Sequence, residues 1–265
     1  MFVVKERIRE ILPSSILRAY RNSRALLQRW RYRGDKHYCN ICDSHLRSWI
    51  LAGKADHLNR VCPVCNSYGR QRFMAMVMTR ELSSIPPTSG KTLLHFAPEL
   101  GLQRWLKERM HFLTYVSADL SSAEVDINLD IQHIKLPDNA IDIVLLSHVL
   151  EHVPDDILAI QEIYRILARG GKLFVQVPLS GESETQDARI DTPEMRLARY
   201  GKTDHVRLYG EDILARLSKA GFRVTLYRAN DDTFKSDFDY MALDIPSDST
   251  MLYANESSTY VCQKE

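Results

Sequence analysis

The feature that most constrains this chain is a regular alternation of short apolar runs with amphipathic stretches after Lys91. Strands are predicted at 93–96, 114–118, 141–147, 172–178, 222–227 and 258–263, with helices at 99–110, 154–168 and 211–219. Alternation of this kind predicts a parallel sheet covered by helices on both faces, because right-handed crossovers place the helices there. The nearly continuous Val/Ile/Leu runs are typical of strands buried on both faces. The predicted fold class is therefore α/β, doubly wound.

Four of the five cysteines form two pairs, Cys39-x2-Cys42 and Cys62-x2-Cys65, separated by nineteen residues. This spacing is close to that of a zinc ribbon, in which two turns supply two thiolates each to a tetrahedral Zn²⁺. A shell closed by four cysteines leaves no position for water, so the predicted zinc is structural. The module at 37–68 has little apolar sequence of its own, which makes metal binding the main expected source of its folding free energy.

The N-terminal 36 residues carry a net charge of +7, and the remainder carries −6. Residues 2–33 are predicted to form one or two helices interrupted at 13–15, with apolar positions among arginines. This pattern fits an amphipathic helix on an anionic membrane, and a solvated helical extension is an equally weighted alternative. No run of roughly 18 apolar residues is present. The expected location is cytoplasmic, with peripheral contact at the inner face of the membrane.

The first strand of the alternating region leads into the turn LLHFAPELG. A nucleotide-binding fold places a glycine-rich turn here, and only Gly101 remains of the usual glycines. About twenty residues further on, the second strand leads into Asp119, where a carboxylate can accept both ribose hydroxyls of an adenosine. A simple N-cap is the alternative role for Asp119.

The run from Asp126 to Pro178 contains D-I-x-x-I-x-L-P-D-N-A-I-D-I-V, S-H-V-L-E-H-V and I-L-A-R-G-G-K-L. In this order the patterns resemble the class I S-adenosylmethionine-dependent methyltransferases, over roughly residues 90–265. The resemblance implies a mostly parallel, seven-stranded sheet with an antiparallel last strand. It also implies a cofactor-binding set, with Asp119 on the ribose, Asp130 and Ile131 beside the adenine, and residues 97–101 around the methionine moiety. The predicted set is Phe96, Ala97, Pro98, Glu99, Gly101, Asp119, Leu120, Asp130, Ile131, Ser147 and His148.

The stretch C-P-x-C-x-S-x-x-R-x-R, followed by LLHFAPE, resembles a bacterial group of methyltransferases that carry a zinc ribbon. This likeness extends the match to residues 37–265. The predicted organisation is a basic arm at 1–36, a zinc-ribbon module at 37–68, a connecting helix and linker at 69–89, and a Rossmann-like methyltransferase domain at 90–265. Glu99 departs from the family because it stands where a glycine is expected. Its carboxylate either reaches the cofactor's ammonium group or blocks binding.

Methyl transfer to a hydroxyl needs a base, and the candidates are His148, His152 and His205, with Asp204 beside the last. The loop 179–209 is expected to close over the substrate and to contain a helix from Thr192 to near Gly201. Its arginines (Arg189, Arg196, Arg199 and Arg207) fit either an anionic substrate or, more commonly, solvated surface charge.

The leading hypothesis is methyl transfer from S-adenosylmethionine to oxygen on a small-molecule, glycan or lipid-linked acceptor. One alternative is a ribosomal or transfer RNA base methyltransferase, which the acidic body disfavours. A second is a non-catalytic adaptor in which the zinc ribbon binds a partner and the Rossmann-like domain is a relic.

Overall fold

The computed structural model describes residues 14–52, 59–187, 192–243 and 257–265. Helix α1 (Ser14–Arg31) confirms a helix in the predicted arm, but it already includes Ser14 and Ser15, which were predicted to interrupt it; residues 1–13 of the arm lie outside the described residues. Two small antiparallel sheets follow, β1 (Arg33–Cys39) with β2 (Ser44–Leu46), and β3 (Ile50–Ala52) with β4 (Asn59–Val61). Helix α2 (Gly69–Leu82) then confirms the connecting helix. Within the described chain, no helix combines the length and apolarity needed to cross a membrane.

Seven strands form the main sheet: β5 (Thr92–Phe96), β6 (Thr114–Asp119), β7 (Ile127–Asn128), β8 (Ile141–Ser147), β9 (Leu167–Gln176), β10 (Phe222–Arg228) and β11 (Ser258–Lys264). Their spatial order is β10-β11-β9-β8-β5-β6-β7. Strand β11 runs antiparallel to both of its neighbours, and the other pairs are parallel. The predicted α/β sheet with an antiparallel last strand is therefore confirmed.

Both faces of this sheet are covered, as the apolar runs predict. In β8, Ile143 and Leu145 join one apolar cluster while Val144 and Leu146 join the other. The first cluster contains residues of α2 and α3 (Leu100–Arg109), and the second contains residues of α4 (Asp156–Ile166) and α6 (Ile213–Lys219). Successive side chains of a strand point to opposite faces, so a continuous apolar run serves both layers.

The chain reverses its direction of travel across the sheet at β5. From β5 it moves to β6 on one side, and it later returns to place β8 on the other side. In open α/β sheets, ligands bind in the crevice beyond the carboxyl ends of the strands at such a reversal. The functional site is therefore expected where β5, β6 and β8 end.

Two further helices occupy the connections late in the chain, α5 (Pro193–Tyr200) and α7 (Lys235–Phe238). The hydroxyl of Thr192 accepts a hydrogen bond from the Met195 N–H at the start of α5. Gly201 ends the helix with a φ of 75°, a conformation that suits glycine. The helix predicted from Thr192 to near Gly201 is confirmed.

One boundary prediction is wrong. The sequence predicts a helix at 154–168 and a strand from 172, but α4 already ends at Ile166 and β9 begins at Leu167, so Gly170 and Gly171 lie inside the strand. Gly170 has a φ of 73°, and a Cβ on Gly171 would lie 2.7 Å from the Ala168 carbonyl oxygen and 2.9 Å from that of Asp142. The glycines therefore make an irregular bend in which β9 approaches β8 closely.

Buried Arg72 of α2 joins the cysteine-rich module to the rest of the chain. Its guanidinium donates hydrogen bonds at 2.6–2.9 Å to carbonyl oxygens on three segments of the chain: those of Arg60, Ser67, Met241 and Ala242. It also stacks 4.2 Å from the ring of Trp49. Cys39, Ile41 and Cys62 belong to the same apolar cluster as α2 and β5. The module thus packs on the large sheet instead of enclosing a core of its own.

Candidate functional site

An open cleft of about 260 Å³ lies beyond the carboxyl ends of β5, β6 and β8. It is lined by Phe96 and Ala97 at the end of β5, by Asp119 and Leu120 at the end of β6, and by His148 after β8. Residues of segments 129–132 and 148–154 complete the wall. Seven residues of the predicted cofactor-binding set therefore meet here: Phe96, Ala97, Asp119, Leu120, Asp130, Ile131 and His148. The other four, although within the described chain, lie outside the lining: Pro98, Glu99, Gly101 and Ser147.

Asp119 lines the cleft, and one of its carboxylate oxygens has no hydrogen bond from the described residues. Its Oδ1 accepts hydrogen bonds from the backbone N–H groups of Ser121 and Ser122, both at 2.9 Å. Its Oδ2 accepts none from the residues that the structure describes. An aspartate whose carboxylate oxygen accepts hydrogen bonds from the backbone N–H groups that follow it is held in a fixed orientation. The second oxygen is thus positioned to accept hydrogen bonds from a ligand.

Two backbone positions at the cleft adopt the left-handed conformation. Ala97 has a φ of 45° and His148 a φ of 55°, and they follow the adjacent strands β5 and β8. Each is held by a backbone hydrogen bond, from Ala97 N–H to Ala118 and from His148 N–H to Gln176. A residue with a Cβ is strained by about 1–3 kcal/mol in this region, and such strain collects at functional sites. In Ala97 the turn therefore keeps a glycine-like backbone without a glycine.

Glu99 links this turn to two neighbouring elements. Its Oε1 lies 2.7 Å from Nη2 of Arg70, and its Oε2 accepts a hydrogen bond from the Ser147 hydroxyl at 2.9 Å. Burial would raise the pKa of Glu99, but Arg70, His148 and the hydrogen bonds together hold it below its ordinary value. The carboxylate is therefore ionised at neutral pH and links α2 to the ends of β5 and β8.

The three histidines proposed as bases lie close together. His148 Nδ1 is 3.0 Å from Oε1 of Glu151, which is fully buried. Burial would raise the pKa of Glu151, but His148, which lies beside the carboxylate and hydrogen-bonds to it, holds it below its ordinary value. The rings of His152 and His205 are nearly perpendicular, with centroids 4.8 Å apart. Burial lowers the pKa of His205 to about 4, so this imidazole is neutral at pH 7.

Arg207 corrects the interpretation of the loop arginines. Its side chain is 2% exposed, so it is neither solvated charge nor open to a substrate. The guanidinium donates hydrogen bonds to the carbonyl oxygens of Leu150, Val153 and Pro154. It thereby clamps the turn that carries Glu151 and His152. Arg199 is exposed, and Arg189 lies outside the described residues.

The four paired cysteines form one cluster near the start of α2. All four Sγ atoms lie within 4.8 Å of one another, with Cys39 to Cys65 at 3.7 Å and Cys42 to Cys62 at 3.6 Å. These separations are far longer than the roughly 2.05 Å of a disulfide bond. Four thiols at these separations suit one shared, tetrahedrally coordinated cation.

Sequence reasoning missed the parts played by Arg70 and Glu151. Both residues lie inside patterns that were recognised: Arg70 in C-P-x-C-x-S-x-x-R-x-R, and Glu151 in S-H-V-L-E-H-V. The three-residue spacing of His148 and Glu151 could have indicated their contact, because a helical turn brings such positions together. The pairing of Arg70 with Glu99 joins residues 29 positions apart and left no local pattern.

Comparison with known proteins gives the family. The sequence profile of the family described as "Methyltransferase domain" matches residues 68–227. No curated protein matches this sequence. Similar solved structures include phosphoethanolamine N-methyltransferase 2 of Haemonchus contortus in complex with S-adenosyl-L-methionine, at 16% identity and a TM-score of 0.48 over 72% of this chain and 52% of that one. A SAM dependent methyltransferase from Archaeoglobus fulgidus aligns at 12% identity and a TM-score of 0.48, over 74% of this chain and 94% of its own.

This chain spans about half the length of the Haemonchus protein. The profile match covers more than half of the chain and includes α2, the cleft and its histidines. The prediction of an S-adenosylmethionine-dependent methyltransferase is confirmed at the level of the family: the chain belongs to the methyltransferase domain family.

Proposed function

We propose that this enzyme binds S-adenosylmethionine in the cleft and transfers its methyl group to an oxygen of a small-molecule, glycan or lipid-linked acceptor. The observation that carries the cofactor proposal is the free Oδ2 of Asp119 at the reversal point of the sheet. A ribose diol matches this acceptor. Asp130 and Ile131 line the same wall and would flank the adenine, while Ala97 and His148 lie at the ends of the strands where the methionine moiety would lie.

Bound S-adenosylmethionine supplies a methyl group on a positively charged sulfur. The work left to the protein is to hold an acceptor atom in line with that methyl group and to exclude water. His148 and His152 both line the cleft, and Glu151 holds the ring of His148 in one orientation. A hydroxyl acceptor would lose its proton to one of these imidazoles.

We also propose that Cys39, Cys42, Cys62 and Cys65 bind a structural Zn²⁺. Tetrahedral zinc with bonds of about 2.3 Å to sulfur places its ligands about 3.8 Å apart. The two closest Sγ pairs, at 3.7 and 3.6 Å, match this spacing. The hydroxyl of Ser67 lies 3.3 Å from the Cys39 sulfur and 3.2 Å from the Cys65 sulfur, where it would support the ligands. Residues 37–68 would then form the zinc-ribbon module beside the methyltransferase domain at 90–265.

The proposal of a membrane-associated acceptor is supported by helix α1. An apolar stripe of Tyr20, Leu26, Leu27 and Trp30 is 60–78% exposed at helical spacing. The opposite side of the helix contacts the cysteine-rich module through Ala25 and Arg29, whose guanidinium donates to the Cys42 carbonyl. Arginines beside an exposed apolar stripe are typical of helices that lie on anionic membranes.

Co-sedimentation with vesicles tests the membrane proposal. The full chain is expected to bind vesicles of phosphatidylcholine mixed with phosphatidylglycerol, and to bind pure phosphatidylcholine far less. The variant Trp30→Asp should lose about tenfold or more in partitioning, because it puts a charge into the apolar stripe. Leu51→Asp, an exposed apolar position outside α1, is the matched control and should bind as the wild type does. Equal binding of Trp30→Asp and the wild type would remove the membrane from the proposal.

The acceptor class is tested by incubating the enzyme with methyl-labelled S-adenosylmethionine and separated cell fractions. Label is expected in the lipid or glycan fraction and absent from the products of Asp119→Asn. Label in RNA would instead support the RNA methyltransferase alternative, against which the acidic body argues. The non-catalytic adaptor with a relic domain is disfavoured, because the chain matches the methyltransferase domain family and its cleft is formed.

A further inference from the structure

We infer that Glu151, His152 and His205 form a second metal site, which binds a divalent transition-metal ion beside the cleft. One ligand atom of each residue lies within 4.8 Å of the others. Two imidazoles and one carboxylate are a donor set that proteins use for Zn²⁺ with a coordination position left open. This site is distinct from the four-cysteine cluster, and it comes from two segments of the chain that meet only in the fold.

Glu151 supplies the strongest evidence. Its side chain has no exposed surface. Oε1 is satisfied by His148, but Oε2 has no hydrogen-bond partner among the residues that the structure describes. A buried carboxylate oxygen without a partner is costly, and proteins rarely keep one without a reason. A cation held by the two neighbouring imidazoles would satisfy this oxygen.

The orientation of His152 suits a metal ligand. Its Nδ1 lies 3.1 Å from the carbonyl oxygen of Asp204, which can only accept a hydrogen bond. Nδ1 therefore carries the proton, and the lone pair remains on Nε2. Metal-binding histidines usually donate their second ring N–H to a carbonyl or carboxylate in this way. The bond fixes both the tautomer and the ring before any ion arrives.

The two segments are also locked together without a metal. The N–H of Val206 donates to the carbonyl oxygen of Glu151 at 2.9 Å, which ties the residue after His205 to the turn. Arg207 donates to the carbonyl oxygens of Leu150 and Val153, on either side of Glu151 and His152. The backbone that carries the three donors is therefore held in place before any ion binds, which lowers the ordering cost of binding.

The site adjoins the cleft, because His152 and His148 both line it. An ion with three protein ligands has at least one further position, which an acceptor oxygen can take. The ligand class indicated is a substrate with a hydroxyl or carboxylate oxygen near the methylated atom. This last step rests on the proposed function, whereas binding of the ion itself is measured without methyl transfer.

The experiment uses the full chain, first loaded with one equivalent of Zn²⁺ to fill the cysteine cluster and then titrated with Co²⁺ by calorimetry and visible absorption. One further equivalent is expected, with weak d–d absorption and without the intense near-ultraviolet bands of cobalt thiolates. Glu151→Gln and His152→Ala should weaken this step about tenfold or more. His133→Ala removes another exposed histidine and should titrate as the wild type does.

His152 is 36% exposed, so its truncation is expected to leave the fold intact even if Glu151→Gln unfolds the chain. Absence of the second equivalent in the wild type, thiolate bands, or unchanged affinity in His152→Ala would each overturn the inference. Asp119→Asn should retain Co²⁺ binding while losing affinity for S-adenosylhomocysteine. Failure of the metal site and failure of the cofactor proposal are thereby distinguished.

Discussion

The substitution Asp119→Asn isolates the ligand-facing oxygen of this side chain. Asparagine keeps an oxygen that can accept the Ser121 and Ser122 N–H bonds now made to Oδ1, so the turn should persist. It replaces the free Oδ2 by an NH₂ group, which cannot accept from a ribose hydroxyl. Loss of charge-assisted bonds to a diol costs about 2 to 3 kcal/mol, which corresponds to a Kd about 30- to 150-fold higher.

Isothermal titration with S-adenosylhomocysteine measures this change, and thermal unfolding is recorded in parallel. Asp119→Ala should lose the same affinity and also destabilise the fold by about 1 to 2 kcal/mol, because two N–H groups lose their acceptor. Glu124→Gln removes the same charge from an exposed position in the same loop and should change neither quantity. A Kd for Asp119→Asn within about twofold of the wild type would refute the placement of the nucleoside.

Three other measurements probe the fold. Burial lowers the pKa of His95 to about 4, whereas histidine in the unfolded chain titrates near 6.5, so between these pH values only the unfolded chain binds the proton. His95 should therefore lower the free energy of unfolding by about 1.4 kcal/mol for each pH unit from about pH 6.5 down to 4, and urea melts of His95→Gln should lack this decrease. Arg72→Leu should cost about 3 kcal/mol or more in urea, because its four carbonyl partners lose their donor, whereas exposed Arg80→Leu should cost little. Cys62→Ser should lose the cluster's zinc by elemental analysis and melt at lower temperature, while Cys262→Ser should retain the metal; equal zinc in both variants would remove the cluster as the ligand set.

The main sheet could be predicted from sequence because strands that are buried on both faces consist of continuous apolar residues. Ile143, Val144, Leu145 and Leu146 must all be apolar when alternate residues enter opposite layers. The end of α4 and the start of β9 were predicted wrongly because a Gly-Gly pair can either end a helix or form a bend within a strand. Only the carbonyl oxygen of Asp142, on a neighbouring strand, decides between them.

At the site, Asp119 was predictable because its position follows from the end of a strand and a fixed distance along the chain. The role of Arg207 was not predictable. Nothing in the sequence of residues 202–210 distinguishes an arginine at the surface from a buried one whose guanidinium donates to three carbonyl oxygens. A single arginine does not indicate in the sequence which distant segment of the chain it contacts.

The degraded glycine turn becomes intelligible when the cysteine cluster and the cleft are considered together. Arg70 lies in the first turn of α2, soon after the Cys62–Cys65 pair, and its guanidinium pairs with Glu99, while Gln176 at the end of β9 donates to the Arg70 carbonyl oxygen. Behind the turn, a Cβ on Gly101 would lie 3.9 Å from the Cys65 carbonyl oxygen. A turn supported in this way from outside needs less freedom of its own, so Ala97 can hold a strained backbone where related turns rely on glycine. The cysteine-rich module therefore takes part in shaping the cleft, which gives a physical reason for its position immediately before the methyltransferase domain.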